Sequence, residues 1–384
     1  MQPIESVYVH VPFCRHRCGY CNFALVADRD YLIDRYLNAL SIELEQASPE
    51  PTALRTLYFG GGTPSHLSNR HLEQIVRMLS RYFSISNETE FTLEANPQDL
   101  LQDRADGLNK LGINRVSLGV QSFDDQKLKR LDRDHTADDI RYAIDECHRF
   151  ANSISIDLIF DAPDESIEDW ERELSRVPDL GIHHVSTYEL TYEKGTRFWS
   201  QLSKGGMEQG SEDKRLEMYK LAIESLGRVG LEQYEISSFA LNGHRSMHNQ
   251  VYWSGKPYWA FGPGASGYVS AKRYQNAASV NRYIQLLESG ERPWSDLEAL
   301  PDEQRCRELF AIGLRQLDGI NPIEFERITG RGLASVCPTT VQHLHEIGML
   351  TFERNRIRLS EAGKFVYDSI ATEILNGLRE TERS

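Results

Sequence analysis

The chain has 384 residues, enough for one large domain and a smaller one, and with 40% hydrophobic residues it can bury a sizeable core. Lys and Arg number 43 against 57 Asp and Glu, a net charge of −14 with no offsetting basic run; nucleic-acid binding, which needs clustered cations to neutralise phosphates, is not expected. The opening MQPIESVYVH lacks a basic region leading into an apolar stretch, and no apolar run approaches the roughly 20 residues of a spanning helix, so a cytoplasmic location is expected, with peripheral membrane contact left open.

From residue 7 to about 190 one unit repeats: a short β-branched or aromatic run, a polar turn, then an amphipathic helix. The strands predicted are VYVHV, TLYFG, EFTLEAN, RVSLGV, SISIDLIF and HHVSTYEL, and the helices between them include YLIDRYLNALSIELEQ, RHLEQIVRMLSRYF and AIDECHRF. Alternating β and α with strongly apolar strands predicts a parallel sheet covered by helices. Six such units suit an open, partial (βα)6 TIM-type barrel, with a doubly wound sheet as the alternative; in both, chemistry collects where strands end. A helix over 212–228 and a strand over 233–240 follow. Residues 1–240 thus read as the barrel, 241–299 as an irregular, aromatic, glycine-rich connection, and 300–384 as a small winged-helix-like domain. In that last part EQRCRELFAIGLRQL, NPIEFERITG and TTVQHLHEIGML have helical spacing, and LTFERNRIRLSEAG reads as a hairpin turning near Arg354 and Asn355.

Six cysteines in a chain this long are not a disulfide framework. Cys147 shares a helical stripe with Ile140, Ala143 and Ile144, and Cys306 one with Leu309 and Phe310; both read as core, and Cys337 precedes a proline. Cys14, Cys18 and Cys21 are different: HVPFCRHRCGYCNF spaces them C-x3-C-x2-C after the first strand, with Phe23 two residues beyond. Thiolates suit zinc or iron–sulfur clusters. A structural zinc site closes with four ligands, and here His10 and His16 stand nearby. A cubane cluster held by three cysteines instead leaves one iron open to a small molecule. YFGGGTP (58–64), Glu94 in LEANP, Gln121 in GVQSF, Arg133 in RLDRDH and Asp157 in SIDLIF follow in order. Each alone reads as a turn or a solvated polar side chain.

Taken together, the cysteine loop with Tyr20 before its last cysteine, GGGTP, LEANP and GVQSF resemble the radical S-adenosylmethionine (SAM) enzymes. More closely they resemble the group containing the oxygen-independent coproporphyrinogen III dehydrogenase of porphyrin biosynthesis and the HemW haem chaperones. The resemblance spans nearly the whole chain. It implies a [4Fe–4S] cluster on Cys14, Cys18 and Cys21, whose open iron binds the amino and carboxylate groups of SAM; reduction then cleaves SAM to a 5′-deoxyadenosyl radical. It places Tyr8, Gly61 and Glu94 beside that SAM. Gly62, Thr63, Gln121, Arg133 and Asp157 match positions that hold a second SAM in the dehydrogenase. Two details depart from the pattern: IFDAP stands where a glycine is expected after the aromatic, and Asp132 precedes Arg133 where small residues are usual.

Phe23 stands where the dehydrogenase has a further cysteine, and the motif begins only a handful of residues into the chain. Both point to the haem chaperones, with the dehydrogenase as the alternative. The resemblance then implies haem as cargo and respiratory haem apoproteins as recipients. HNQVYW, residues 248–253, matches the HNxxYW of the chaperones and makes His248 the expected haem ligand, on a connection able to open, beside Tyr252, Trp253, Tyr258, Trp259 and Phe261. Cys147, His184 and His244 are weaker candidates.

Overall fold

The structure is a computed structural model, and it describes residues 3–101 and 104–377. Six strands follow one another: β1 (Ser6–Val11), β2 (Thr56–Gly61), β3 (Glu90–Ala95), β4 (Arg115–Gln121), β5 (Ser153–Phe160) and β6 (His184–Glu189). Between and after them come α1 (Ile33–Ala47), α2 (Asn69–Leu79), α3 (Ala105–Lys110), α4 (Asp125–Arg130), α5 (Ala137–His148), α6 (Ile167–Leu174), α7 (Arg197–Ser203) and α8 (Glu212–Arg228). Each strand pairs in parallel with the next in sequence, from β1 to β6. A doubly wound sheet reverses its strand order part-way. The unbroken sequential order is that of a barrel, as expected.

Successive side chains of a strand point to opposite faces. One set (Val7, Val9, Val11, Leu57, Phe59, Phe91, Leu93, Val116 and Leu118) is buried in the main core with the apolar stripes of the helices. The other set is polar: Tyr8 and His10, Tyr58, Thr92 and Glu94, Ser117, Asp157. This polar face is what supplies the site. Helix starts are set locally. Thr136 with Asp139, and Ser166 with Asp169, form reciprocal capping boxes at α5 and α6, and Ser211 caps α8. Cys147, Ile140, Ala143 and Ile144 are all buried on α5, as the spacing predicts.

The strand expected over 233–240 is two short ones, β7 (Glu232–Glu235) and β8 (Ser238–Ala240). The segment 241–299 departs further from the irregular connection expected. It contains α9 (Met247–Trp253), β9 (Trp259–Phe261), β10 (Ser266–Val269), β11 (Lys272–Asn276), α10 (Val280–Glu288) and β12 (Trp294–Glu298). β9 is a seventh parallel strand, paired with β1 through Val7–Trp259 and Val9–Phe261. The buried Glu43 of α1 holds this segment: it accepts from Gly262 N–H (2.9 Å), Asn276 Nδ2 (2.6 Å) and Tyr283 Oη (2.6 Å). Two compact units result. One is the chain up to Glu232 with Phe239–Arg245 and Tyr258–Leu297; the other is Gln233–Ser238, Ser246–Pro257 and the chain from Glu298 on.

The second unit carries α11 (Asp302–Gly313), α12 (Pro322–Thr329) and α13 (Pro338–Glu346), then a hairpin of β13 (Leu350–Glu353) and β14 (Arg356–Leu359), then α14 (Glu361–Lys364) and α15 (Tyr367–Asn376). Its core includes Cys306, Phe310, Phe325, Leu344 and Ile370. The hairpin turns at Arg354 (φ +49°) and Asn355 (φ +59°), where it was expected, with the two positive φ angles of the tight turn that matches strand twist.

Candidate metal and cofactor site

The three clustered cysteines lie in the loop after β1. Its two ends are tied by Val26 N–H donating to Pro12 O at 2.7 Å. Asp132 holds its middle. The Asp132 carboxylate accepts from Gly19 N–H at 2.8 Å and pairs with Arg197, while its carbonyl accepts from His16 Nε2 at 2.6 Å. The residue sits at φ +56°, a conformation that aspartate tolerates because its short side chain bonds locally. Sequence reasoning had treated Asp132 only as a departure.

Three side chains link Cys14 to Cys18. Thr63 Oγ1 lies 3.0 Å from Cys14 Sγ and accepts from Asn96 Nδ2 at 3.4 Å. Asn96 Oδ1 accepts from Arg133 Nη2 at 2.6 Å, and Arg133 Nη1 donates to Cys18 Sγ at 3.7 Å. Arg133 also donates to Gly119 O at 2.9 Å. Thr63 and Arg133, both expected in the site, are thus joined through Asn96. That residue lies within LEANP but was not singled out. Tyr20, before the last cysteine, packs on Phe198 with ring centroids 6.1 Å apart.

Burial pushes the Cys14 thiol up to about 12. At Cys18 burial acts the same way but is outweighed by His16 and Arg133, and the net shift is downward. A thiol raised by burial ionises only with positive charge close by, as a bound metal would supply. All six cysteines are free thiols. Among the described residues no three His, Cys, Asp or Glu side chains are gathered closely enough to hold a metal ion. His10 and His16, the neighbours that kept zinc open, bond to backbone carbonyls. The Arg133 Nε is buried without a protein partner beside the thiols. Three soft donors, a buried guanidinium with an unused N–H and a glycine-lined strand end fit a cluster with an anionic group bound next to it.

The second half of the site lies at the ends of β1, β2 and β3. His10 is buried. Its Nε2 donates to Ala24 O at 2.7 Å, which leaves Nδ1 to accept from Tyr8 Oη at 3.1 Å. Burial lowers its pKa to about 4, so the ring is neutral at pH 7. Gly61 closes β2 at φ +114°, a conformation suited to glycine, and its N–H donates to Glu94 Oε2 at 2.9 Å. A Cβ there would lie 2.6 Å from His10 Cε1. Glu94 Oε1 accepts from Tyr58 Oη at 2.8 Å. Burial holds the Glu94 carboxyl up at about 7. Tyr8 stacks on Tyr58 with centroids 5.9 Å apart. Tyr8, Gly61 and Glu94 are therefore one contiguous group. His10 and Tyr58 belong to it and were missed, although YVHVPFC and YFGGGTP display them. Gly62 packs against the loop: its N–H donates to Val11 O at 2.8 Å, and a Cβ would lie 2.8 Å from Phe13 O.

Gln121 closes β4 at φ +66°, just past a register irregularity. Asp157 lies within β5 rather than at its end, and Ser117 Oγ donates to it at 3.3 Å. Burial raises its carboxyl to about 6. Asp161 ends that strand where a glycine was expected, and it takes the glycine conformation, φ +58°. Its carboxylate is satisfied by Gly210 N–H and Lys214 Nζ, both at 3.2 Å. His248 lies on α9 and not on an irregular connection; it is fully buried and bonds Tyr252 Oη through Nε2 at 2.8 Å. Ser246 caps that helix, a serine cue visible in the sequence. His184 is buried against Ser155 Oγ at 2.8 Å, and His244 stacks on His183 at 4.3 Å.

The signature of the radical SAM superfamily matches residues 8–177, and that of the HemN C-terminal domain matches residues 300–366. A curated relative, heme chaperone HemW of Bacillus subtilis (strain 168), is 33% identical over 96% of this chain and 98% of its own. The chain belongs to the HemW family. The HemW likeness extends to a Bos taurus relative, the mitochondrial radical S-adenosyl methionine domain-containing protein 1, at 32% identity over 98% of this chain and 88% of that one. Among solved structures, coproporphyrinogen III oxidase (HemN) from Escherichia coli superposes with a TM-score of 0.83, covering 96% of this chain and 89% of that one. At 20% identity that match shows a shared fold. No described helix is long and apolar enough to cross a membrane.

Proposed function

We propose that this chain is a haem carrier of the cytoplasm. It holds a [4Fe–4S] cluster on Cys14, Cys18 and Cys21, binds SAM beside it, and passes haem to respiratory haem apoproteins. The family likeness over nearly the full length supports this reading against the dehydrogenase. The observation that carries it is Phe23. Arg17 fixes the backbone here, donating to the carbonyls of Cys21 (3.1 Å), Phe23 (3.3 Å) and Leu25 (2.8 Å), and the Phe23 ring is 58% exposed. No thiol stands where the dehydrogenase resemblance requires one. With reductant and SAM, the protein should leave coproporphyrinogen III unconverted, as judged by mass spectrometry. Phe23→Cys should not create activity, because one thiol does not rebuild a substrate pocket. Robust formation of protoporphyrinogen IX would restore the dehydrogenase reading.

When bound, the cluster supplies an electron and an open iron for the SAM amino and carboxylate groups. The chain itself supplies position and charge. Thr63, Asn96 and Arg133 orient Cys14 and Cys18, while Gly61, Tyr8 and Glu94 border the SAM. Glu94 also sets a pH dependence. With its carboxyl at about 7, it is mostly protonated at pH 6 and mostly ionised at pH 8, and only the anion attracts a positively charged ligand such as the SAM sulfonium. SAM affinity should therefore rise about tenfold from pH 6 to pH 8, following the ionised fraction. Glu94→Gln should bind more weakly and lose the slope; an unchanged slope would remove Glu94 from the site.

His248 remains the family-based candidate for the haem ligand. Its burial on α9 and its bond to Tyr252 mean that ligation requires that helix to rearrange. A haem titration of wild type and His248→Ala, each with the cluster intact, tests it: the expected result is a shifted Soret band and weaker binding. Identical spectra and affinities would make His248 structural.

A further inference from the structure

Beside the edge strand β9 lies a cavity of about 320 Å³, open to solvent on one side, to which nothing above assigns a role. Its size is that of a small-molecule site, and its walls are flat. Trp259 and Phe261, two residues apart on β9, present nearly parallel rings 5.9 Å apart and inclined by 14°. Tyr274 and Trp294 add a second aromatic pair, with centroids 5.7 Å apart. Two cations, Lys272 and Arg292, also line the cavity. Both are exposed, and neither forms an ion pair with a described residue. The Arg292 guanidinium lies over the Trp294 ring at 4.5 Å. In a chain of net charge −14, two unpaired cations beside one aromatic slot are charge-complementary to a flat apolar body bearing carboxylates.

We infer that this cavity binds the face of a porphyrin, with Trp259 and Trp294 against the macrocycle and Lys272 and Arg292 taking its propionates, and that it offers the central metal no ligand. No His, Cys or Met lines it, and the hydroxyl of Tyr274, a residue type that can hold haem iron, is committed to the backbone N–H and carbonyl of Ala260. The one carboxylate in its lining, Glu43, is committed to Gly262, Asn276 and Tyr283. The choice of a tetrapyrrole over other flat dicarboxylates rests on the haem-carrier reading. The absence of a metal ligand separates this site from any that grips the iron. A porphyrin held by its face and carboxylates is released without breaking a metal bond, which suits a station from which cargo is handed on.

The experiment uses the full chain with its cluster and follows binding by quenching of tryptophan fluorescence. Metal-free protoporphyrin IX is the probe, its dimethyl ester the control, and haem is titrated in parallel. Wild type should bind the metal-free porphyrin, and the ester should bind at least tenfold more weakly. The Lys272→Glu/Arg292→Glu double variant should lose at least tenfold in porphyrin affinity. Both positions are exposed, so the fold should survive. If wild type fails to bind metal-free porphyrin, or binds the ester equally well, or if the double variant binds as wild type does, the inference is overturned. Haem binding that persists in that case leaves the carrier reading standing. If wild type binds porphyrin but no haem, the carrier reading fails and the cavity assignment holds.

Discussion

Alanine in place of Cys14, Cys18 or Cys21 should leave the anaerobically reconstituted protein without a cluster, where wild type is expected to carry about four irons and four sulfides per chain. The effect is all-or-none because the ligand set has no spare member. The neighbouring histidines are committed, His10 between Ala24 O and Tyr8 Oη and His16 to the Asp132 carbonyl. Cys147, Cys306 and Cys337 are buried in their own surroundings, and alanine there should keep the full iron and sulfide content. Loss of a packed sulfur at Cys147 should cost roughly 1–2 kcal/mol of stability, the scale of a small core deletion. The variants are compared by iron and acid-labile sulfide assay alongside thermal unfolding. Stoichiometric zinc without sulfide in the wild type would refute the cluster assignment outright.

Gly61→Val should lower SAM affinity by at least a hundredfold while the cluster spectrum is retained. Two physical effects add. The backbone sits at φ +114°, which a β-branched residue adopts only at a cost of about 1–3 kcal/mol. The new Cβ also lands 2.6 Å from the His10 ring, which cannot swing aside without breaking its bonds to Ala24 and Tyr8. Either relaxation moves Tyr8, or moves the Gly61 N–H away from Glu94, and both border the proposed SAM site. A double-mutant cycle separates collision from backbone strain: Gly61→Ala should cost less stability in a His10→Ala background than in wild type. Unchanged SAM affinity in Gly61→Val, measured by titration, would reject the pocket.

The six barrel strands were legible because each is a short β-branched or aromatic run bounded by polar turns, and the hairpin because Arg354-Asn355 sits between two alternating runs. The helices of the 300s were legible from their spacing. The cysteine loop was legible for a chemical reason: three thiols within eight residues have few other uses.

What failed to show were features whose cause lies elsewhere in the chain. Trp-Ala-Phe is too short to declare itself a strand, and β9 exists because β1 leaves an edge to pair with. Asp161 in a glycine conformation depends on Gly210 and Lys214, about 50 residues away. Asp132 could only look like a departure until Gly19, His16 and Arg197 were seen converging on it. By itself, then, the sequence determined the barrel repeat, the three clustered thiols and the order of the motifs, because hydrophobic period and cysteine spacing are local properties. Only the tertiary structure decided which buried side chains satisfy one another: Asn96 between Thr63 and Arg133, His10 beneath Gly61, Glu43 holding the β9 segment. A buried polar group must find a partner, and the chain brings that partner from wherever the fold places it.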